Sequence, residues 1–229
     1  MVNNLNDFLL TKEMEFQFKT YYDFLIEENQ KINLTAITKE DEVYIKHFYD
    51  SLIVSKYIDF SKDLKVADIG SGAGFPGIPL KIVNPNIKLY LIEPTLKRCL
   101  FLEKLVNKLD LKDVYIINKR AEDLLERDEF DIVLARAVAS LNILVEISIP
   151  FIKVNGSFIA LKGNNVDEEI NNLNNALKEL KTKIKDIVKY SLPLKMGERS
   201  LVIFTKNKTT NNNSRRILRD NKAKTTLIT

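Results

Sequence analysis

A single cysteine, Cys99, among 229 residues excludes an internal disulfide and any zinc or iron–sulfur site built from several thiolates. Its neighbours, Cys99-Leu100-Phe101-Leu102, form an apolar run in a helical pattern, which points to packing rather than nucleophilic chemistry. Histidine is equally scarce, with His47 alone, and no metal is expected. No apolar run reaches the roughly 18 residues that a membrane span needs, and Met1 to Leu10 lacks a basic segment followed by an apolar one. Neither a membrane partner nor export is expected, and the reducing cytoplasm is the expected compartment. The chain also has no internal repeat. What is there is ordinary for a globular protein: 45% hydrophobic and 29% charged residues, far from the disordered regime. Lys and Arg exceed Asp and Glu by 35 to 31, a mild excess that permits a nucleic-acid partner without requiring one.

The length suits one well-buried α/β domain with an appendage. From Leu5 to about Ile32, the residues Met14, Phe18, Tyr21 and Leu25 recur every three or four positions and predict a helix. Thr38 followed by Asp41 reads as a capping box, opening a second helix that carries Val43, His47, Phe48 and Leu52 toward Tyr57. Residues 1–60 are therefore expected to form a helical extension. After Lys62, short apolar runs alternate with helical segments, as a parallel sheet requires. Strands are expected at Leu64 to Ile69, Lys88 to Ile92, Val114 to Asn118, Asp131 to Ala135 and Ser157 to Leu161, with helices at Thr95 to Leu109 and Val166 to Lys181. Lys185 to Ser191 and Ser200 to Lys206 follow without a helix between them and should pair antiparallel. The expected fold class is α/β, a seven-stranded, mostly parallel sheet over residues 61–207. The tail, 208–229, gathers Arg215, Arg216, Arg219, Lys222 and Lys224 and is expected to be mobile or to order only on binding.

The most informative segment runs from Val66 to Gly77, a strand entering a glycine-rich turn and then a helix. Bare backbone there lets a ligand approach closely. Gly72, Gly74 and Gly77 satisfy the dinucleotide pattern G-x-G-x-x-G, with Glu93 about twenty residues further on. Gly70, however, already ends the strand, and Asp68 stands two residues before it. An acid beside the loop suits a cationic methionyl group better than a pyrophosphate. The residues thus favour S-adenosylmethionine over a nicotinamide cofactor, with a turn that binds nothing as the bland alternative.

The arrangement Val-x-Asp-x-Gly-x-Gly-x-Gly followed by an acid ending the second strand resembles the Rossmann-like class I methyltransferases. Further stretches, Asn33 to Ile37, Lys46 to Leu52, Asp68 to Pro79, Arg120-Ala121-Glu122, Ala135 to Ala139, Leu161-Lys162-Gly163 and Glu198-Arg199, resemble the bacterial small-subunit ribosomal RNA methyltransferase G family, also called glucose-inhibited division protein B. The resemblance implies an enzyme that methylates nitrogen 7 of a guanine in 16S ribosomal RNA, free or in a small-subunit particle. It implies S-adenosylmethionine as cofactor, S-adenosylhomocysteine as product, and a monomer. By it, Gly70 and Phe75 line the methionine and adenosine site, and Glu93, Pro94 and Thr95 sit at the ribose. Ala121 and Glu122 would flank the adenine, and Arg136 would lie beside the cofactor. Taken on its own residues, Glu93 could instead be a charge at a helix start, and Arg136 a partner in a structural ion pair.

Exocyclic amino methylation usually shows an Asn or Asp, two prolines and an aromatic after the fourth strand; Ala135-Arg136-Ala137 stands there instead. A ring nitrogen needs no base, which matches the scarcity of acid–base residues. No catalytic residue is assigned. His47, Lys162 and Arg199 are candidates for contact with RNA or base, with pairing to Asp50 on the next helical turn as the alternative for His47 and a surface position for the other two. The tail lacks the Tyr-Pro-Arg, Gly and Pro typical of the family. A class I methyltransferase with another substrate, or an inactive RNA-binding module, remain the alternatives.

Overall fold

Thr11 starts the first helix: its side chain accepts the Met14 N–H at 3.2 Å, and Glu13 and Glu15 face the helix's positive end. Helix α1 therefore spans Lys12–Asn29 rather than beginning at Leu5, which closes a separate turn with Phe8. The computed structural model describes residues 5–124, 128–136, 139–164 and 166–208. All of the basic tail beyond Lys208 lies outside these residues, as do Ala137 and Val138.

The capping box expected from Thr38 and Asp41 does not form. Helix α2, Glu40–Val43, is preceded by Lys39, which makes no side-chain cap, and Thr38 instead offers its carbonyl to the Tyr22 hydroxyl at 3.3 Å. The helix starts one residue too late for the Thr38 oxygen to reach it. It continues into a widened π-type turn, Tyr44–Tyr49, and then α3, Asp50–Leu52. Such turns are rare and often found at functional sites.

Seven strands follow: β1 Lys65–Ile69, β2 Lys88–Ile92, β3 Val114–Ile117, β4 Phe130–Arg136, β5 Ile152–Lys162, β6 Thr182–Ser191 and β7 Glu198–Lys206. Their order is β3-β2-β1-β4-β5-β7-β6. The first five pair parallel, while β7 runs antiparallel to both β5 and β6. In the last pair β7 is the inner strand because Leu201 to Phe204 is buried throughout, whereas β6 alternates with exposed residues.

Helices α4 Gly77–Val83, α5 Leu96–Lys108, α6 Leu141–Ser148, α7 Val166–Asn171 and α8 Asn174–Glu179 complete the fold. The single helix expected over 166–181 is interrupted between α7 and α8. There the Asn172 amide donates to the Glu168 carbonyl at 3.1 Å, a side-chain bond that competes with the helical ladder. Alternation along β1 assigns its side chains to two cores. Val66 packs with α1, α4, α5 and the π-type turn, while Ala67 and Ile69 pack with α6, α7 and α8 on the opposite face. Each fully buried Leu or Phe in these cores contributes about 1.5–3 kcal/mol. The chain reverses its winding between β1 and β4, and a crevice opens at the carboxyl ends of the strands there.

Candidate active site

The glycine turn sits at that crevice. Gly70, Gly72 and Gly74 all have positive φ, at 68°, 57° and 96°, a backbone that side chains with a Cβ rarely adopt. Neighbouring strands hold the turn in place. Gly70 N–H donates to the Ile92 carbonyl at 2.8 Å, and one carboxylate oxygen of Glu93 accepts the Gly72 N–H at 2.9 Å. The other accepts the Thr95 N–H at 2.9 Å. Glu93 is only 1% exposed, with Arg98 at 3.9 Å above it. Glu93 thus sits at the helix start, as the second reading had it, and ties the turn to the start of α5.

Asp68 does not lie where the charge argument had it. It is fully buried, and its Oδ2 accepts the Gly77 N–H at 2.9 Å beneath the turn, while Oδ1 has no hydrogen-bond partner. Burial pushes its carboxyl up to about 7, against the pull of the Gly77 N–H and Arg136. The residue braces the turn from below. From the far side, Tyr21 of α1 donates to the Ala73 carbonyl at 2.5 Å and stacks on Phe75.

A cleft of about 470 Å³ opens in front of the turn, lined by Gly70, Ser71, Gly72, Ala73 and Phe75 on one side. The helical extension supplies Leu34, Thr35, Ile37, Lys46, His47 and Asp50, and the strand ends supply Arg136, Leu161, Lys162 and Arg199. His47 stacks on Phe75 with ring centres 4.5 Å apart. It does not pair with Asp50. Its Nε2 lies 2.8 Å from Thr35 Oγ1 and its Nδ1 lies 3.3 Å from Arg136 Nη2. Burial, and then the neighbouring Arg136, lower its pKa to about 3, so the ring is neutral.

Asp50 is spent on the two arginines. It stands 3.4 Å from Arg136 and 3.7 Å from Arg199, and accepts the Tyr190 hydroxyl at 2.7 Å. Arg136 also lies over Phe75, its guanidinium carbon 4.8 Å from the ring centre. Arg136 therefore forms the structural ion pair, and the same side chain lines the cleft. Lys162 reaches Glu169 at 2.9 Å and the Ala139 carbonyl at 3.0 Å.

Pro94 and Thr95 are exposed beyond Glu93; Ala121 is buried and Glu122 half-buried in a short helical turn, Ala121–Asp123, after β3. The amide of Asn118 bonds the carbonyls of Glu93 and Pro94, a brace that no sequence pattern singled out. Thr35 and Asp50 lie in stretches that carry the family resemblance but were not assigned to the site, and Tyr190 was singled out by no pattern. Cys99 is 2% exposed and donates to the Glu93 carbonyl at 3.1 Å; burial raises its thiol pKa, away from a reactive thiolate.

The fold and this cleft define a class I methyltransferase. Solved structures of low identity share the fold: a predicted O-methyltransferase of Agrobacterium tumefaciens (TM-score 0.58, 15% identity, 71% of this chain and 82% of that one) and M. jannaschii TYW2 in complex with AdoMet (TM-score 0.54, 18% identity, 68% and 74%). The family model for rRNA small subunit methyltransferase G matches residues 14–202. Proteins named ribosomal RNA small subunit methyltransferase G are 49% identical in Mycoplasma capricolum (68% of this chain, 67% of that one) and 47% identical in Carboxydothermus hydrogenoformans (86% and 85%). The chain belongs to the rRNA small subunit methyltransferase G family.

Proposed function

We propose that this chain transfers a methyl group from S-adenosylmethionine to nitrogen 7 of a guanine in 16S ribosomal RNA, acting as a monomer on free RNA or on a small-subunit particle. The observation that carries the reading is one cleft that joins the glycine turn to five basic side chains, Lys46, Arg98, Arg136, Lys162 and Arg199. Asp50 is shared by Arg136 and Arg199, and Lys46, Arg98 and Lys162 stand beside Glu42, Glu93 and Glu169, so five cations meet four acids and a single positive charge remains in excess toward a polyanion.

The residues present fit the cofactor. A Cβ at Gly72 would meet only the Gly70 carbonyl, at 3.8 Å, so the turn leaves open backbone toward a ligand. Gly70 and Phe75 would line the methionine and adenosine, and Glu93, whose oxygens accept the Gly72 and Thr95 N–H groups, would offer its remaining lone pairs to ribose hydroxyls, with Pro94 and Thr95 beside it. Ala121 and Glu122 would flank the adenine, and Arg136 would stand beside the cofactor. When bound, S-adenosylmethionine supplies an electrophilic methyl group on sulfur. The chain's own work is positioning: nitrogen 7 offers a lone pair and loses no proton, so no side chain has to act as a base. A buried, unreactive Cys99 agrees, since ring-carbon methylation of a pyrimidine needs a thiolate.

Incubation of unmodified 16S RNA with labelled cofactor tests the reading. Label is expected on nitrogen 7 of one guanine; label on another base or on protein would overturn it.

A further inference from the structure

The helical wall of the cleft holds a hydrogen-bond chain whose direction is set from one end. Arg136 Nη2 lies 3.3 Å from His47 Nδ1, and a guanidinium only donates; the Lys46 carbonyl, which also faces the ring, already accepts from Arg136 Nη1 at 3.3 Å, which leaves Nδ1 as the accepting nitrogen. The neutral ring then carries its proton on Nε2 and donates it to Thr35 Oγ1, 2.8 Å away. The Ile37 N–H donates to the same oxygen at 3.0 Å. Both lone pairs of the Thr35 hydroxyl are spent. Its own proton is left to donate, no acceptor for it stands among the described residues, and Thr35 lines the cleft.

We propose that the Thr35 hydroxyl is a donor-only contact that recognises oxygen 6 of the target guanine, with His47 and Arg136 as the positioning residues that set its direction. The inference rests on the proposed methyl transfer to guanine. Guanine presents oxygen 6 and nitrogen 7 as adjacent acceptors on one edge, whereas adenine places an amino group at the corresponding position. A hydroxyl that can no longer accept rejects that amino group. A donor on oxygen 6 also leaves the nitrogen 7 lone pair free to react. The surroundings of His47 keep the ring neutral, so this polarity does not reverse near neutral pH.

Two readouts test it. Because His47 is the only histidine, protein labelled with nitrogen-15 histidine reports one ring. The proton is expected on Nε2 at neutral pH, and a proton on Nδ1 overturns the proposal. In the second, Thr35→Val is expected to lower kcat/KM on 16S RNA about tenfold while calorimetric affinity for S-adenosylmethionine stays at the wild-type value, and Thr35→Ser to retain activity within about threefold. Synthetic RNA with 2-aminopurine at the labelled guanine lacks oxygen 6. Wild type should lose about tenfold on it and Thr35→Val should lose nothing further. A Thr35→Val enzyme that matches wild type on guanine overturns the contact alone. A wild-type enzyme that labels no guanine overturns the parent reading and the contact with it.

Discussion

Asp68 and His47 are buried titratable groups whose shifts run in opposite directions. Asp68 is raised from 3.8 to about 7, so the folded chain holds a proton that the unfolded chain has released. Its contribution to stability is fully present below pH 3.8 and is lost as pH rises through about 7. His47 is lowered from 6.5 to about 3, so the unfolded chain takes up a proton that the folded chain refuses. Its contribution is present above pH 6.5 and is lost as pH falls toward about 3. Each slope is about 1.4 kcal/mol per pH unit, and over the shared window they cancel. Relative to wild type, His47→Gln is therefore expected to gain stability as pH falls from about 6.5 to about 4, and Asp68→Asn to lose it. Urea titrations across that window read both, and parallel profiles for the three proteins would refute the assignment. Gly74 sets a second expectation at this scale. A Cβ there would lie 2.7 Å from Ile78 Cγ1 and 2.9 Å from the Tyr21 hydroxyl, on a backbone with φ of 96°. Gly74→Ala should cost about 2 kcal/mol or more in chemical denaturation and weaken cofactor binding in calorimetry.

Among the elements, the π-type turn at Tyr44–Tyr49 does what an ordinary helix start would not. Together with the start of α3 it presents Lys46, His47 and Asp50 to the cleft while Tyr44, Ile45 and Phe48 stay in the core. Asp50 then ties this helical segment to three strands: β4 through Arg136, β6 through Tyr190 and β7 through Arg199. Tyr190→Phe removes a hydroxyl from a buried carboxylate and is expected to cost about 1–3 kcal/mol of stability, measured by urea unfolding. A loss below about 0.5 kcal/mol would mean that the bond is replaced by water. Helix α1 and the seven strands are legible from apolar period alone, because each buries one face or both against its neighbours. Their ends are less so: the start of α2 turned on whether Thr38 or Lys39 became the cap, and the break between α7 and α8 on where the Asn172 side chain bonded.

For the whole molecule, the net charge of +4 is modest, and basic residues collect in the cleft at the switch between β1 and β4, each beside an acid that an RNA phosphate would have to displace. RNA affinity should accordingly fall with salt, and Arg199→Ala should shrink the slope of log K against log salt by about 0.7. An unchanged slope would place Arg199 outside the RNA path. The glycine turn and the acid that holds it were legible because they are local: a strand, a turn and the next strand's terminal acid lie within Val66 to Glu93. The opposite wall of the cleft was not. His47 and Arg136 are 89 residues apart, Asp50 and Tyr190 are 140 apart, and no short-range pattern relates them. From its sequence alone the chain determines alternating strands and helices, a glycine turn for a close-fitting ligand, and family membership, since all three are written in local spacing. Only the tertiary structure decided that Asp68 points beneath the turn, that Asp50 serves the arginines instead of His47, and that Thr35 meets the His47 ring. Those outcomes depend on which groups meet across a folded core, where burial and available partners set charge and hydrogen-bond direction.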